Sequence, residues 1–205
     1  MGVTILKKIP STSKNLSEAA KKQLPDTMRK ISKYLQSKAQ ARINSNTPPP
    51  NSPLTTANKG GGETLKDSGQ LMSSINAHSG DKWASAGTNL KYSKPLQQGA
   101  TITPKKSQWL WIPAGFHVRK LMNQYNATKA RELIPALRDA GWKMWRQGHV
   151  FMGKSKRGST PVALFILKKK VDIPARPFLY IDAANKRYIS REIGKTIRAG
   201  LQVKQ

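Results

Sequence analysis

The sequence predicts an α+β fold, with helices packed on a mostly antiparallel sheet, an extended proline-rich arm and a helical insertion. Three observations carry this. Apolar residues recur at three- and four-residue spacing near each end of the chain, which marks amphipathic helices. Between them lie short apolar runs bounded by glycine, proline and aspartate, which mark strands and hairpins. A cluster of prolines and glycines at 47–62 separates the first helix from those strands. At 205 residues the chain suits a single domain with arms, and 37% hydrophobic residues implies a modest core.

Residues 1–24 read as an N-terminal arm holding a short helix over 15–23, which Pro25 interrupts or kinks. A long helix follows at 25–46. Its stripe of Met28, Ile31, Leu35, Ala39 and Ile43 steps by three and four, Pro25 suits its first turn and Asp26 complements its positive end. Lys21, Lys22, Arg29, Lys30, Lys33 and Lys38 decorate its polar faces. Residues 47–64, with Pro48, Pro49, Pro50 and Pro53, favour an extended polyproline-like arm ending in the flexible turn Gly60-Gly61-Gly62. Lys59 precedes those glycines and no strand leads in, which rules out a phosphate loop.

Sheet is expected over 65–117 and 148–180. Asp67-Ser68-Gly69 is a turn or helix cap, 70–75 a short helix or strand start, and Gly80-Asp81 the turn of a hairpin. Trp109 to Pro113 forms a compact strand ending at its proline. Residues 150–152 and 162–167 form a hairpin around a glycine- and serine-rich loop. The second arm of that hairpin is apolar on consecutive residues, as in a central strand covered on both faces. Residues 118–147 read as an inserted pair of short helices broken by Pro135 and Gly141. Residues 181–205 form a C-terminal helix with the stripe Ile181, Ala184, Tyr188/Ile189, Ile193, Ile197 and Leu201.

The charge is heavily one-sided: 37 Lys and Arg against 10 Asp and Glu, a formal +27. Such an excess raises self-repulsion and calls for a polyanion or an acidic protein neighbour. The chain has no cysteine, which excludes disulfides and thiolate zinc sites and fits folding in a reducing cytosol. Its start is too short in apolar run for a signal peptide, and no stretch reaches membrane-spanning length. His78, His117 and His149 lie far apart with no carboxylate at ligand spacing, and no acidic pair suits acid–base work. No catalytic, cofactor-binding or metal-binding residue is therefore expected; the role is binding.

Two basic segments are exposed by composition: Lys154, Lys156 and Arg157 at a hairpin tip with Gly158, and Lys168, Lys169 and Lys170 at a strand end. Either can touch phosphate or an acidic partner without reading sequence, or serve only to keep strand ends soluble. Trp109 and Trp111 lie two apart on a strand, and Trp142 and Trp145 three apart on a helix. Core or subunit-interface packing accounts for such pairs more simply than base stacking does.

The order of several motifs resembles the phage virion morphogenesis, or tail-completion, proteins, including the Mu-like G protein. The motifs are Thr47-Pro48-Pro49-Pro50-Asn51-Ser52-Pro53-Leu54-Thr55, Lys59-Gly60, and the run Leu65-Lys66-Asp67-Ser68-Gly69 through Ile75. Ala86-Gly87-Thr88-Asn89 through Ser93, Leu96-Gln97-Gln98-Gly99 and Ile173-Pro174-Ala175-Arg176-Pro177-Phe178-Leu179 follow. The chain departs from the family in carrying Gln97 where a His is usual, and in the length of 118–147. The resemblance implies a subunit of a closed ring, commonly sixfold, at the tail–neck junction of a virion assembled in the host cytoplasm. Its implied partners are itself, the tail tube protein and neck or head-connector proteins, with passing genomic DNA nearby and no membrane. Assembly contacts are then expected from Pro48, Pro49, Pro50, Pro53, Asp67, Gly69, Ile173, Pro174, Arg176, Pro177 and Phe178. Two prolines pre-organise Arg176 for a bidentate contact, within one subunit or between two, while Phe178 anchors the segment in a core. A head-completion or neck adaptor, and a sequence-independent nucleic-acid-binding protein, are the alternatives.

Overall fold

The computed structural model describes residues 3–8, 17–157 and 160–202, and it has the expected α+β composition with every strand pair antiparallel. Gly158, the start of the helix expected at 15–23, and residues 203–205 lie outside the described residues. A single domain over 1–205 is anticipated from the sequence; by contact, the chain gathers into two compact units. The first comprises Met1–Pro49, Thr64–Gly99 and Pro174–Gln205, the second Pro50–Glu63 and Ala100–Ile173. Among the described residues, in place of one sheet there are three, of three, two and four strands.

The first unit is built on α1 (Glu18–Asn44). Ser17 caps it, its Oγ accepting from the Ala20 N–H at 3.2 Å. The sequence predicts a break at Pro25, but the helix runs through it. Losing the proline N–H costs a helix about 3 kcal/mol. Ala20 and Leu24 upstream of the proline are buried on the same line as Met28, Ile31 and Leu35, and burial of that size offsets the loss. The arm predicted at 1–24 is in part a strand: β1 (Val3–Lys8) pairs with β3 (Trp83–Thr88), which pairs in turn with β2 (Asn76–Gly80) across the expected hairpin. Ala84 and Ala86 of β3 are small enough for α1 to press Leu24, Met28, Ile31 and Leu35 against them.

A second cluster of the same unit joins Ala39 and Ile43 to Leu65, Leu71, Ile75, Phe178 and Leu179. It is enclosed by α3 (Gln70–Ser73) and α4 (Ser93–Gln98), the latter not foreseen. The C-terminal helix α7 (Ala183–Gln202) lies antiparallel to α1. Ser17 Oγ–H donates to the Gly200 carbonyl at 2.8 Å, Thr27 and Thr196 share a hydrogen bond of 2.6 Å, and Tyr34 stacks on Tyr188 with centroids 3.8 Å apart. Arg42 donates to Asp182 at 2.7 Å at the far end. The predicted apolar stripe of α7 is corrected at Ala184, which is exposed; Asn185, Thr196 and Gly200 are buried instead. Polar residues fit there because each is satisfied: Asn185 donates to the Tyr34 hydroxyl and accepts from Arg42.

The second unit contains a four-stranded sheet in the order β5 (Leu110–Pro113), β8 (Val162–Lys168), β7 (Val150–Lys154), β6 (Lys143–Gln147). Leu164, Phe165 and Leu167 of the central β8 are buried on both faces, as its consecutive apolar run predicts. Helices α5 (Phe116–Gln124) and α6 (Ala130–Asp139) cover one face through Val118, Leu133 and Leu137. A two-stranded ribbon pairs β4 (Ala100–Ile102) with β9 (Val171–Ile173).

Two expectations fail in this unit. The arm 47–64 is not extended throughout: α2 (Pro53–Lys59) starts at the cap Ser52 and stops at Gly60, whose φ of 70° is left-handed. The insertion 118–147 is helical only to Asp139. Pro135 sits inside α6 without breaking it, Gly141 turns the chain at φ 80°, and 143–147 form β6. Trp142 and Trp145 therefore share no helical face. Trp142 packs against the core, whereas Trp145 on the edge strand β6 is exposed.

Candidate assembly and polyanion-facing surfaces

Two groups of predicted site residues can be followed into the structure, one in each unit. In the first unit, Pro174 to Leu179 adopts no regular structure, yet its backbone is held firmly. Gln97, on α4, acts as a surrogate strand. Its Oε1 accepts from the N–H groups of Phe178 and Leu179, both at 3.0 Å, and its Nε2 donates to the Leu179 carbonyl at 2.9 Å. Gln97 thus uses three of the four hydrogen-bonding positions of its amide. Phe178 is fully buried beneath this clamp.

Arg176 is 5% exposed. Its N–H donates to the Leu96 carbonyl at 2.7 Å, and its Nε donates to the Pro49 carbonyl at 2.7 Å. Burial draws its pKa down, because desolvation disfavours the charged form. These contacts lie within one chain, so Arg176 joins the proline-rich segment to the 174–179 segment. Pro48 and Pro49, linked by a cis peptide, are exposed, as are Pro174 and Pro177 in the same unit. Gly69, with φ 79°, caps α3 behind the exposed Asp67. The Tyr92 hydroxyl is shifted to a higher pKa, chiefly by its own burial and then by the Asp67 charge. In the second unit, Pro50 and Pro53 are exposed, Pro53 opens α2, and Ile173 ends β9 opposite Ala100.

The six basic residues predicted to face a polyanion all lie in the second unit, but they do not form one patch. Lys154 stands opposite Lys143 at one end of the sheet, with Lys156 and Arg157 exposed in the loop beyond. Lys168, Lys169 and Lys170 lie at the other end of β8, whose seven residues span roughly 20 Å. At that end the structure adds residues the sequence does not flag. Trp109 carries the Arg146 guanidinium at 5.0 Å and the Lys169 ammonium at 5.7 Å over its ring, with His149 edge-on at 5.5 Å. Trp111 turns inward, edge to face with Phe151 and Phe165. Beside them a groove of about 970 Å³ runs between Lys105, Lys106 and Trp109 on one side and Lys129, Ala130 and Arg131 on the other. The hairpin register, Val150 opposite Ile166, is what brings His149 and Arg146 to the lysine run, and no sequence spacing states that register.

Glu132, next to the groove's Arg131, is already committed. It accepts from the N–H and hydroxyl of Thr128, both at 2.8 Å, and from the Lys129 N–H, and these bonds hold its pKa low. Of the histidines, His117 bonds the Ala163 carbonyl and His149 meets Trp109. Among the described residues no group of three or more His, Cys, Asp or Glu side chains is placed to hold a metal ion. No described helix is long and apolar enough to cross a membrane.

An α+β chain of this kind, basic throughout and with its motifs spent on joining segments, has the character of an assembly subunit. A model of the phage virion morphogenesis family matches residues 6–136, and the chain belongs to that family. Its role therefore lies in building the phage particle. The match takes in the proline-rich segment and the motifs at 65–75, 86–93 and 96–99; Ile173 to Leu179 lies past its end. No curated protein and no solved structure matches the chain.

Proposed function

We propose that this chain is the tail-completion, or terminator, subunit at the tail–neck junction. It acts as a ring that caps the tail tube and offers a surface to the head connector, and its chemistry is binding rather than catalysis. The family match over 6–136 carries the proposal. Two further features support it. The net charge of +27 suits a neighbour of DNA or of acidic neck proteins. The exposed prolines of 48–53 form a segment that loses little chain entropy on docking.

Electron microscopy of particles from a phage lacking this gene tests the proposal. Filled heads beside unattached tails of irregular length are the expected result, reversed by supplying the chain from a plasmid. Tails of normal length beside heads that have leaked their DNA would move the chain to the head side, as a neck adaptor. One copy per particle in place of a ring would also overturn the reading.

A further inference from the structure

The groove beside Trp109 has a chemistry of its own. Its floor is apolar, formed by Leu110, Trp111, Met122, Ile134 and Phe165, while Lys105, Lys106, Lys129 and Arg131 stand exposed at its rim. Sixteen Lys and Arg against four Asp and Glu give this unit a formal +12. Glu132, next to Arg131, caps α6 through Oε2 while its Oε1 lies 4.0 Å from both Lys129 Nζ and Arg131 Nε, a single carboxylate against two of the rim cations. A ligand must therefore bring apolar groups for the floor and negative charge for the rim.

Nucleic acid supplies the charge but not the rest. Trp109 has Arg146 and Lys169 over its ring, and Trp111 is packed edge-on into the core, so neither indole offers a free face for a base. A duplex presents only thymine methyl groups as apolar contacts, and these are recessed in the major groove behind the phosphates. A second copy of this chain offers no such segment: its closest acidic pair, Glu63 and Asp67, flanks Leu65, which is buried in the core of the first unit.

We infer that this groove takes an acidic segment of a different protein, one whose leucine or aromatic side chains enter the floor while flanking carboxylates meet the four rim cations. Strand β5 favours an extended segment. It is an edge strand, paired among the described strands only with β8. The Ala114 N–H to Leu164 carbonyl bond sets its alternation so that the backbone of Trp111 points away from β8, on the side where the Pro113 carbonyl accepts from Asn58 Nδ2 at 2.6 Å. Apolar anchors surrounded by a charged rim are the usual division of labour in such contacts. The inference stands whether the chain works at the tail or at the head side of the neck.

Fluorescence anisotropy on the full chain tests it. The probe is a short fluorescein-labelled peptide of Asp and Glu interspersed with Leu and Phe. It is set against the same peptide with Ser at every apolar position, and against a labelled single strand and duplex of DNA. The acidic–apolar peptide is expected to bind at least about tenfold more tightly than the serine version, and more tightly than either DNA. K105E/K106E and K129E/R131E should each weaken it about tenfold, whereas K154E/K156E at the far end of the sheet should leave it within about twofold. All these side chains are exposed except the half-buried Lys154, and an unchanged circular dichroism spectrum checks that the variants fold. Equal affinity for the serine peptide would reduce the site to charge alone and overturn the inference. So would tighter binding of DNA, equal loss in K154E/K156E, or no binding up to about 1 mM.

Discussion

Two glycines six positions apart on α7 should respond to the same substitution with opposite sign. A Cβ on Gly200 would lie 2.5 Å from the Ala20 Cβ, 2.6 Å from Ser17 Oγ and 2.7 Å from the Ala20 backbone nitrogen. Two of those three atoms belong to the first turn of α1 and cannot swing aside. Overfilling a packed contact of this kind costs about 1–3 kcal/mol, against a gain of about 0.5–1 kcal/mol from replacing glycine within a helix. The clash wins, and Gly200→Ala should lose about 1–2 kcal/mol. At Gly194 the nearest neighbour is the flexible Arg198 Nη2 at 3.8 Å, so only the helix gain of about 0.5–1 kcal/mol remains. Urea unfolding followed by far-ultraviolet circular dichroism reads both, since α1 and α7, of 27 and 20 residues, supply most of the helical signal. With a slope of about 2–3 kcal/mol per molar urea, the midpoint should fall by roughly 0.5 M for Gly200→Ala and rise by roughly 0.2–0.4 M for Gly194→Ala. A rise for both would refute the reasoning, because it would mean that α1 and α7 can separate at no cost.

Other expectations follow from the same contacts. Phe178→Ala empties a fully buried site and should cost about 3–5 kcal/mol, seen as a large drop in urea midpoint; a loss under about 1 kcal/mol would show that the pocket collapses freely. The Asp182 pKa is lowered first by the Asn185 N–H and then by Arg42, so its stabilisation is present above the ordinary carboxylate range and lost as pH falls below about 4. Stability of Asp182→Asn should accordingly depend less on pH in that window, and an unchanged profile would discount the contact. DNA binding by the whole chain should be weak, about 10⁻⁴ to 10⁻⁶ M, and steeply salt-dependent, because counterion release drives it; tight, salt-resistant binding in an anisotropy titration would favour a dedicated nucleic-acid-binding protein.

Much of the fold is legible in residue spacing, and what is missed has identifiable physical causes. The stripe of α1 and the doubly covered run of β8 are periodic signals of the strongest kind, and both appear where expected. Pro25 misleads because a local rule about a missing N–H says nothing of the core on which both halves of the helix lie. Ser52-Pro53 and Gly60 are proper start and stop signals for α2, but neighbouring prolines and glycines outweigh them in a reading by composition. β6 is lost because Trp142 and Trp145 suit a helical face and Lys143 to Gln147, with Met144 and Trp145 adjacent, shows no alternation to mark an edge strand. Phe178 is correctly placed as an anchor from its setting between prolines and apolar residues. Gln97, Arg146 and His149 acquire their roles only when distant segments meet, and no pattern within a short window can announce such a meeting.

The pairing of α1 with α7 also sets an order of events during synthesis. Ser17 bonds Gly200 across 183 positions and Thr27 meets Thr196 across 169, so the first unit cannot close until residues 196–200 have left the ribosome. The second unit has all of its strands once Ile173 emerges, and domains generally fold as they are released. In the interval the newborn α1 carries Leu24, Met28, Ile31 and Leu35 with no finished core to receive them. Lys22, Lys30, Lys33 and Lys38 on its outer face then act as gatekeepers, their mutual repulsion keeping nascent chains from clumping. A premature stop between the codons for Asp182 and Tyr188 would remove the Tyr188, Ile189 and Thr196 contacts together, so release of a usable subunit depends on translation of α7.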